Sequence, residues 1–391
     1  MIDYRFQKNV LLINPSSDSK NIRDIANLID EIKPASHAII WQPWEAFDER
    51  FEEYLNYNYI KNLNHSEEFQ YFEDTLVKNN VKCYLLVGCD YSDGYSNIKT
   101  NPLKNFEVLF WPTALLHYTF YGMVNFYGKN PSELINPYRP IDKLYLNLNG
   151  HERNHRCMLM DYLCKFDLFH YGINTWQNVE SQTWNFKYFT PQKLSFDDFN
   201  DKPNHVPQRV FSEKLINAPN LIDVVGETAP SISYDYAFPE LNKDFIFHTE
   251  KTFRSILFGK IFLVLGNKGQ NTNLLKYKFG LYDNIFDYQF DKTDFFSLRC
   301  IGIIDNLYSI KNKNFGEVRD SLMGLSRANI DTATAIVYND EYIPIELKTI
   351  IEENKDEYKI LLRDFDCSYS GSFGLPDKWS LTEKIFKEIY Q

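Results

Sequence analysis

Short, strongly apolar runs separated by helical patterns constrain this chain more than any other feature. Asn9-Val10-Leu11-Leu12-Ile13-Asn14 is closed by Pro15-Ser16-Ser17, and a helical pattern follows from Asp18 to Ile32. The alternation continues with strands at His37 to Trp41, Cys83 to Gly88 and Val108 to Trp111. Helical patterns occupy Glu45 to Leu55, Glu67 to Asn79 and Pro112 to Tyr127. A strand whose residues are apolar on both sides must be covered on both sides, and helices between such strands provide the cover. The pattern therefore predicts a parallel, Rossmann-like sheet.

At 391 residues the chain exceeds what one hydrophobic core normally supports, so two domains are expected. The stretch Gly128 to Pro140, with Pro131, Pro137 and Pro140, breaks the rhythm and reads as a hinge. It divides the chain into an N-terminal domain, 1–140, and a C-terminal domain, 141–391. The second series has strands at Leu144 to Leu148, Leu221 to Val225 and Ile261 to Leu265. Its helices are expected from Cys157 to Phe166, Glu250 to Phe258 and Asn271 to Phe279. Gln177 to Pro207, rich in Asp, Asn, Pro and aromatics, reads as an excursion on the surface. The final hundred residues read as mainly helical, ending in the amphipathic Trp379 to Tyr390. The expected architecture is α/β, with two Rossmann-like domains facing across a cleft.

Charge narrows the function classes. A net charge of −11 argues against wholesale coating of nucleic acid, which needs many Lys and Arg on phosphates, although a local basic cleft remains compatible. Cys83, Cys89, Cys157, Cys164, Cys300 and Cys367 form no CxxC pair or Cys/His cluster and read as reduced thiols of a cytoplasmic protein. No basic segment followed by an apolar one opens the chain, and no run of about 18 apolar residues occurs, so neither secretion nor membrane spanning is expected.

Two polar constellations follow predicted strands. In Asn149-Gly150-His151-Glu152-Arg153-Asn154-His155-Arg156, the residues Arg153, His155 and Arg156 stand where a strand ends and a helix begins. Unpaired N–H groups and the helix dipole attract anions there, and a guanidinium adds bidentate recognition of phosphate. In Phe245-Ile246-Phe247-His248-Thr249-Glu250-Lys251, Thr249 caps a helix that Gly259 ends before the strand Ile261 to Leu265. Glu250 can accept hydrogen bonds from ribose hydroxyls while Lys251 neutralises a pyrophosphate. A capped surface helix with an acidic first turn is the plainer alternative. Asn267, in Asn267-Lys268-Gly269-Gln270-Asn271, opens another loop that could approach a donor, but it lacks the dinucleotide and P-loop glycine patterns. Tyr282 to Asp287 with Arg299 could close one side of the pocket.

Thr249-Glu250-Lys251 followed by Gly259-Lys260-Ile261-Phe262 resembles the TEK segment of the α-1,3-fucosyltransferase family, and related segments occur in phage and bacterial glycosyltransferase-like proteins. Asp223-Val224-Val225-Gly226-Glu227-Thr228 stands where that family has a strand ending in Glu-Asn, with Thr in place of Asn. Arg156, with Arg153 as competitor, is similar in position to the family's pyrophosphate-binding arginine. The resemblance covers roughly Leu144 to Phe286. It implies a GT-B fold whose C-terminal domain binds a nucleotide sugar and whose N-terminal domain supplies the acceptor surface. It also implies direct displacement with inversion.

Inversion requires a group that takes a proton from the acceptor hydroxyl. Asp90 and Glu45 are the candidates in the N-terminal half, and Glu227 could stabilise the donor sugar, act in catalysis, or simply orient the loop Thr228 to Phe238. Asp364-Phe365-Asp366 spells a metal-binding DxD, but it lies beyond the expected donor core. The reading is therefore metal-independent, with no cofactor beyond the nucleotide-sugar co-substrate. The acceptor is a saccharide or another hydroxyl compound. A modified base in phage DNA, such as 5-hydroxymethylcytosine, is a second possibility, and a non-enzymatic binding or structural protein is a third.

Overall fold

The computed structural model describes residues 3–7, 10–14, 22–33, 36–42, 67–88, 90–91, 105–127, 129–135, 138–149, 153–176, 184–194, 213–227, 245–339 and 341–353. The expectations placed on Glu45 to Leu55, on Asp364 to Asp366 and on Trp379 to Tyr390 lie outside these residues. The described residues fall into two compact units, one comprising those up to Leu115 together with 342–353, the other Leu116–Glu341. This division differs from 1–140 and 141–391: it falls in a helix rather than in the proline-rich stretch, and a late helix belongs to the first unit.

The first unit holds β1 (Asp3–Gln7), β2 (Val10–Asn14), α1 (Ile22–Ile32), β3 (His37–Gln42), α2 (Glu67–Asn79), β4 (Lys82–Val87), β5 (Asp90–Tyr91) and β6 (Phe106–Phe110). Its sheet has the order β1-β2-β3-β4-β6. β1 is antiparallel to β2, and the remaining pairs are parallel. The apolar run predicted β2, whereas the hairpin partner β1 carries alternating polar residues and was not anticipated. Ile25, Ala26 and Ile29 of α1 and Phe69, Phe72 and Leu76 of α2 are buried, and the two helices pack on each other. Phe72 meets Phe106 edge-on, with ring centroids 5.4 Å apart.

The division falls at the first turn of α3 (Ala114–Tyr127). The second unit continues with α4 (Pro131–Leu134), β7 (Lys143–Asn147), α5 (Asn154–Lys165), β8 (Gly172–Asn174), α6 (Glu213–Ile216), β9 (Asn220–Gly226), β10 (Phe245–Ile246), α7 (Glu250–Leu257), β11 (Ile261–Leu265), α8 (Phe296–Ile310) and α9 (Phe315–Tyr338). The late helix in the first unit is α10 (Ile345–Glu353). The second sheet has the order β11-β9-β7-β8 and is parallel throughout. Both sheets together make the protein mixed α/β, with largely parallel strands.

The two sheets are wound differently. In the first, strands follow one another in chain order. In the second, the chain runs from β7 outward to β8, then returns past β7 to β9 and on to β11. Right-handed crossovers running in opposite directions put α5 and α7 on opposite faces. Accordingly α8 packs on α5, and α9 packs on α7. The order reverses between β7 and β9, and such a switch point opens a crevice at the carboxyl ends of the strands.

Two expectations are refined within this unit. The helix expected over Asn271 to Phe279 is of the 3-10 type, Thr272–Tyr277. The Asn271 side chain is bound to both main-chain groups of Val264, at 2.9 and 2.8 Å, which ties the start of this segment to β11. The described part of the supposed surface excursion, 184–194, is partly packed inside. Asp161 on α5 accepts main-chain hydrogen bonds from Lys187, Tyr188 and Phe189, at 3.1, 2.6 and 2.8 Å. Phe189 is buried against Trp176 and Phe186.

Among the described residues, Cys83, Cys157, Cys164 and Cys300 are free thiols. No helix among them is long and apolar enough to cross a membrane.

Candidate functional site

The residues singled out in the C-terminal half converge at the β7/β9 switch point. β7 ends at Asn147 and β9 at Gly226, with Asn147 paired opposite Val224. Extending that register by two residues puts Asn149 across from Gly226. α5 starts after β7 and α7 after β9, so two helix N-termini meet the carboxyl edge of the sheet. That edge is electropositive before any side chain is counted.

α7 is held there by its own sequence. Thr249 adopts extended backbone, and its hydroxyl accepts from the Lys251 N–H at 3.2 Å, forming the predicted N-cap. Gly259, at φ +61°, closes the other end. There the Gly259 and Lys260 amides donate to Ile256 and Ser255, a Schellman arrangement. Phe253, Ile256 and Leu257 are buried, and the helix packs on β11 and α9.

Two carboxylates, Asp223 within β9 and Glu227 just past its end, fasten α7. Glu227, 0 % exposed, accepts the Thr249 N–H at 2.9 Å and the Thr252 hydroxyl at 2.5 Å through Oε1. Its Oε2 accepts the Thr249 hydroxyl at 2.5 Å. Four residues earlier on the strand, Asp223 accepts from Ser255 Oγ at 2.7 Å and from Asn220 Nδ2 at 2.8 Å. With three donors on a fully buried carboxylate, Glu227 positions the start of α7.

The cationic groups stand around that start. Lys251 is partly exposed, with Nζ 3.4 Å from Glu250 Oε1 and 3.3 Å from Thr249 Oγ1. Both contacts are long, so the ammonium is free to turn towards an anion. Burial works to raise the Glu250 carboxyl, but Lys251, the residue's own main chain and Arg254 together hold it below the ordinary range. Glu250 is therefore a carboxylate at neutral pH, suited to accept from hydroxyls.

Arg156 lies in the first turn of α5 and is buried, with Nη2 3.5 Å from the Gly226 carbonyl oxygen. Burial and the neighbouring Arg153 lower its pKa, and the fields of Glu227 and Glu250 oppose that shift. Arg153 itself is the exposed N-cap residue of α5.

His155 is 2 % exposed and meets Phe296 edge-on. Burial drives its pKa well below 6.5, and Arg156, Lys251 and Arg153 push in the same direction against a hydrogen bond to the Glu227 main chain. The ring is neutral at pH 7. It joins the anion site as a hydrogen-bonding group, not as a third cation.

Asn267 follows β11 at the same edge of the sheet and is buried. Beside it, Arg299 Nε donates to the Gly266 carbonyl at 3.1 Å, and Asp291 accepts from the Asn271 and Thr272 main chain at 3.1 and 2.8 Å. Arg299 holds this neighbourhood by main-chain bonds, whereas the buried Tyr282 donates to the Lys260 carbonyl at the opposite end of β11. Asp90 opens β5 and belongs to the first unit. Glu45 lies outside the described residues. Among the described residues, no group of three or more His, Cys, Asp or Glu side chains is placed to hold a metal ion.

Sequence reasoning missed Asn149, Asp223 and Arg254. Arg254 is buried, and its charge is opposed by burial and favoured by Asp223, Glu250 and Glu227. Its spacing four residues after Glu250 puts both on one helix face, a signal present in the sequence. Asn149 is a polar residue continuing past the end of an apolar strand, which marks the crevice side of a parallel sheet. Comparison with family models, curated proteins and solved structures gives no match for this chain.

Proposed function

We propose that this chain is a glycosyltransferase whose second unit binds a nucleotide-activated sugar. The observation that carries the reading is the β7/β9 switch point, where two helix N-termini, Arg153, Arg156 and Lys251 gather beside the carboxylate of Glu250. The resemblance of Thr249-Glu250-Lys251 to the fucosyltransferase TEK segment supports the same reading. In this proposal the two units correspond to the domains of a GT-B enzyme, and the first supplies the acceptor side.

The chemistry follows from the charges. An acceptor hydroxyl attacks the anomeric carbon, the bond from that carbon to the β-phosphate oxygen breaks, and the configuration inverts. The leaving nucleoside diphosphate keeps the electron pair. Its negative charge is stabilised by Arg156, Lys251 and the N–H groups of α7, without a metal ion. Glu250 accepts from ribose hydroxyls. Glu227 and Thr249 keep the helix start in place, so the donor groups need little reorganisation. The acceptor's proton passes to a base, for which Asp90 of the first unit is the candidate.

Incubating the purified protein with a broad panel of nucleotide sugars and hydroxyl acceptors tests the proposal. Release of nucleoside diphosphate, weakened in Lys251→Ala, supports it. No hydrolysis or transfer from any donor overturns it.

A further inference from the structure

Two side chains beside the cations are buried with polar atoms that have no protein partner. Asn149 is 1 % exposed, and neither its Oδ1 nor its Nδ2 is hydrogen-bonded. Its main chain is fixed, because its N–H donates to Thr175 Oγ1 at 2.8 Å, just past β8. His155 Nε2 is likewise buried and unbonded. Leaving such groups unmatched is costly, so a buried amide with both ends unmatched calls for a complementary group.

Asn149 lies beside the end of β9. A β-carbon placed on Gly226 would stand 3.9 Å from Asn149 Oδ1, 3.7 Å from Arg156 Nε and 3.5 Å from Arg156 Cγ. The residue that would fill this space is the one without a side chain, and the space touches both the neutral amide and the arginine.

We infer that the space over Gly226 is a subsite for a hydroxyl of the transferred sugar, read by Asn149 with His155. This rests on the donor-site reading above. The chemistry selects a hydroxyl over a phosphate. A phosphate oxygen only accepts, so it would satisfy Nδ2 and leave Oδ1 facing negative charge. A hydroxyl both donates and accepts, so it can take Nδ2 while giving its proton to Oδ1 or to the neutral imidazole. The diphosphate then lies on Arg156 and Lys251, with the sugar on the uncharged side of the same arginine.

Calorimetric titration of the full chain tests this with UDP and GDP against UDP-glucose, UDP-N-acetylglucosamine, GDP-mannose and GDP-fucose. Wild type is expected to bind one sugar conjugate about 10-fold more tightly than its parent diphosphate, the scale of a matched buried hydroxyl. Asn149→Ala and Gly226→Ala should both erase that preference while the parent diphosphate keeps its affinity. Gly226→Ala guards against misfolding as an explanation, because its added carbon meets neighbours only at ordinary contact distance, 3.5 Å and beyond. Diphosphate binding with no preferred conjugate, or a preference that survives both substitutions, overturns the subsite and leaves the donor reading standing. Absence of binding by every diphosphate and conjugate overturns both.

Discussion

Glu227 and Thr249 are joined twice, the carboxylate accepting the threonine's N–H at 2.9 Å and its hydroxyl at 2.5 Å. One residue ends a strand and the other begins a helix 22 positions later. The pair fixes the helix start to the sheet edge where the cations gather, and it links stability to the site.

That link gives the first prediction. Glu227→Ala leaves the Thr249 N–H and two hydroxyls without their acceptor in a buried setting, and should cost about 3 kcal/mol in urea unfolding. Thr252→Val removes one of the three donors and should cost about 1 kcal/mol. A cost near zero for Glu227→Ala would contradict the clamp.

The second prediction separates binding from folding. Lys251 is partly exposed and makes only long contacts, so Lys251→Ala should leave the melting temperature nearly unchanged. It should weaken nucleoside diphosphate binding by about 10-fold, the worth of one charge-assisted phosphate contact. Equal affinity in calorimetry would remove Lys251 from the site.

Much of this architecture was legible. β11 and α2 fall where the apolar run and the helical period put them, because both elements bury their patterned faces. Thr249 and Gly259 marked the ends of α7 for reasons local to the backbone. What could not be read depends on partners distant in sequence. Glu227 looks like an accessible acid at a strand end until the three donors of Thr249 and Thr252 are in view. His155 looks like a possible cation until burial beside Arg153, Arg156 and Lys251 is known. β1 has no apolar run because its pairing is antiparallel, to β2.

The third prediction concerns pH. Burial pushes His117 down to about 3 and His155 well below 6.5. Below pH 6.5 the unfolded chain binds protons at these positions that the folded chain does not. Stability is therefore full above that pH and falls as the solution is acidified, by about 1.4 kcal/mol per pH unit for each histidine. Urea unfolding between pH 7.5 and pH 5 should show this loss, with a shallower slope in His155→Gln. A flat profile across that range would contradict the neutral, buried assignment.

The fourth prediction tests the packed part of the 184–194 segment. Asp161→Ala removes the acceptor of the Lys187, Tyr188 and Phe189 amides. Stability should drop by about 2 kcal/mol, and hydrogen exchange at those three amides should accelerate. Unchanged exchange would mean that Phe189 and Trp176 hold the segment without the carboxylate.

Under the proposed function, the β7/β9 switch point is expected to bind a nucleoside diphosphate. A thermal-shift series of the wild-type chain with UDP, GDP, CMP, TDP and ADP, with and without Mg²⁺, tests it most directly, since a ligand that binds only the folded state raises its stability. A selective rise with one base, independent of Mg²⁺ and reduced in Lys251→Ala, is expected. No rise with any nucleotide at saturating concentration would contradict it.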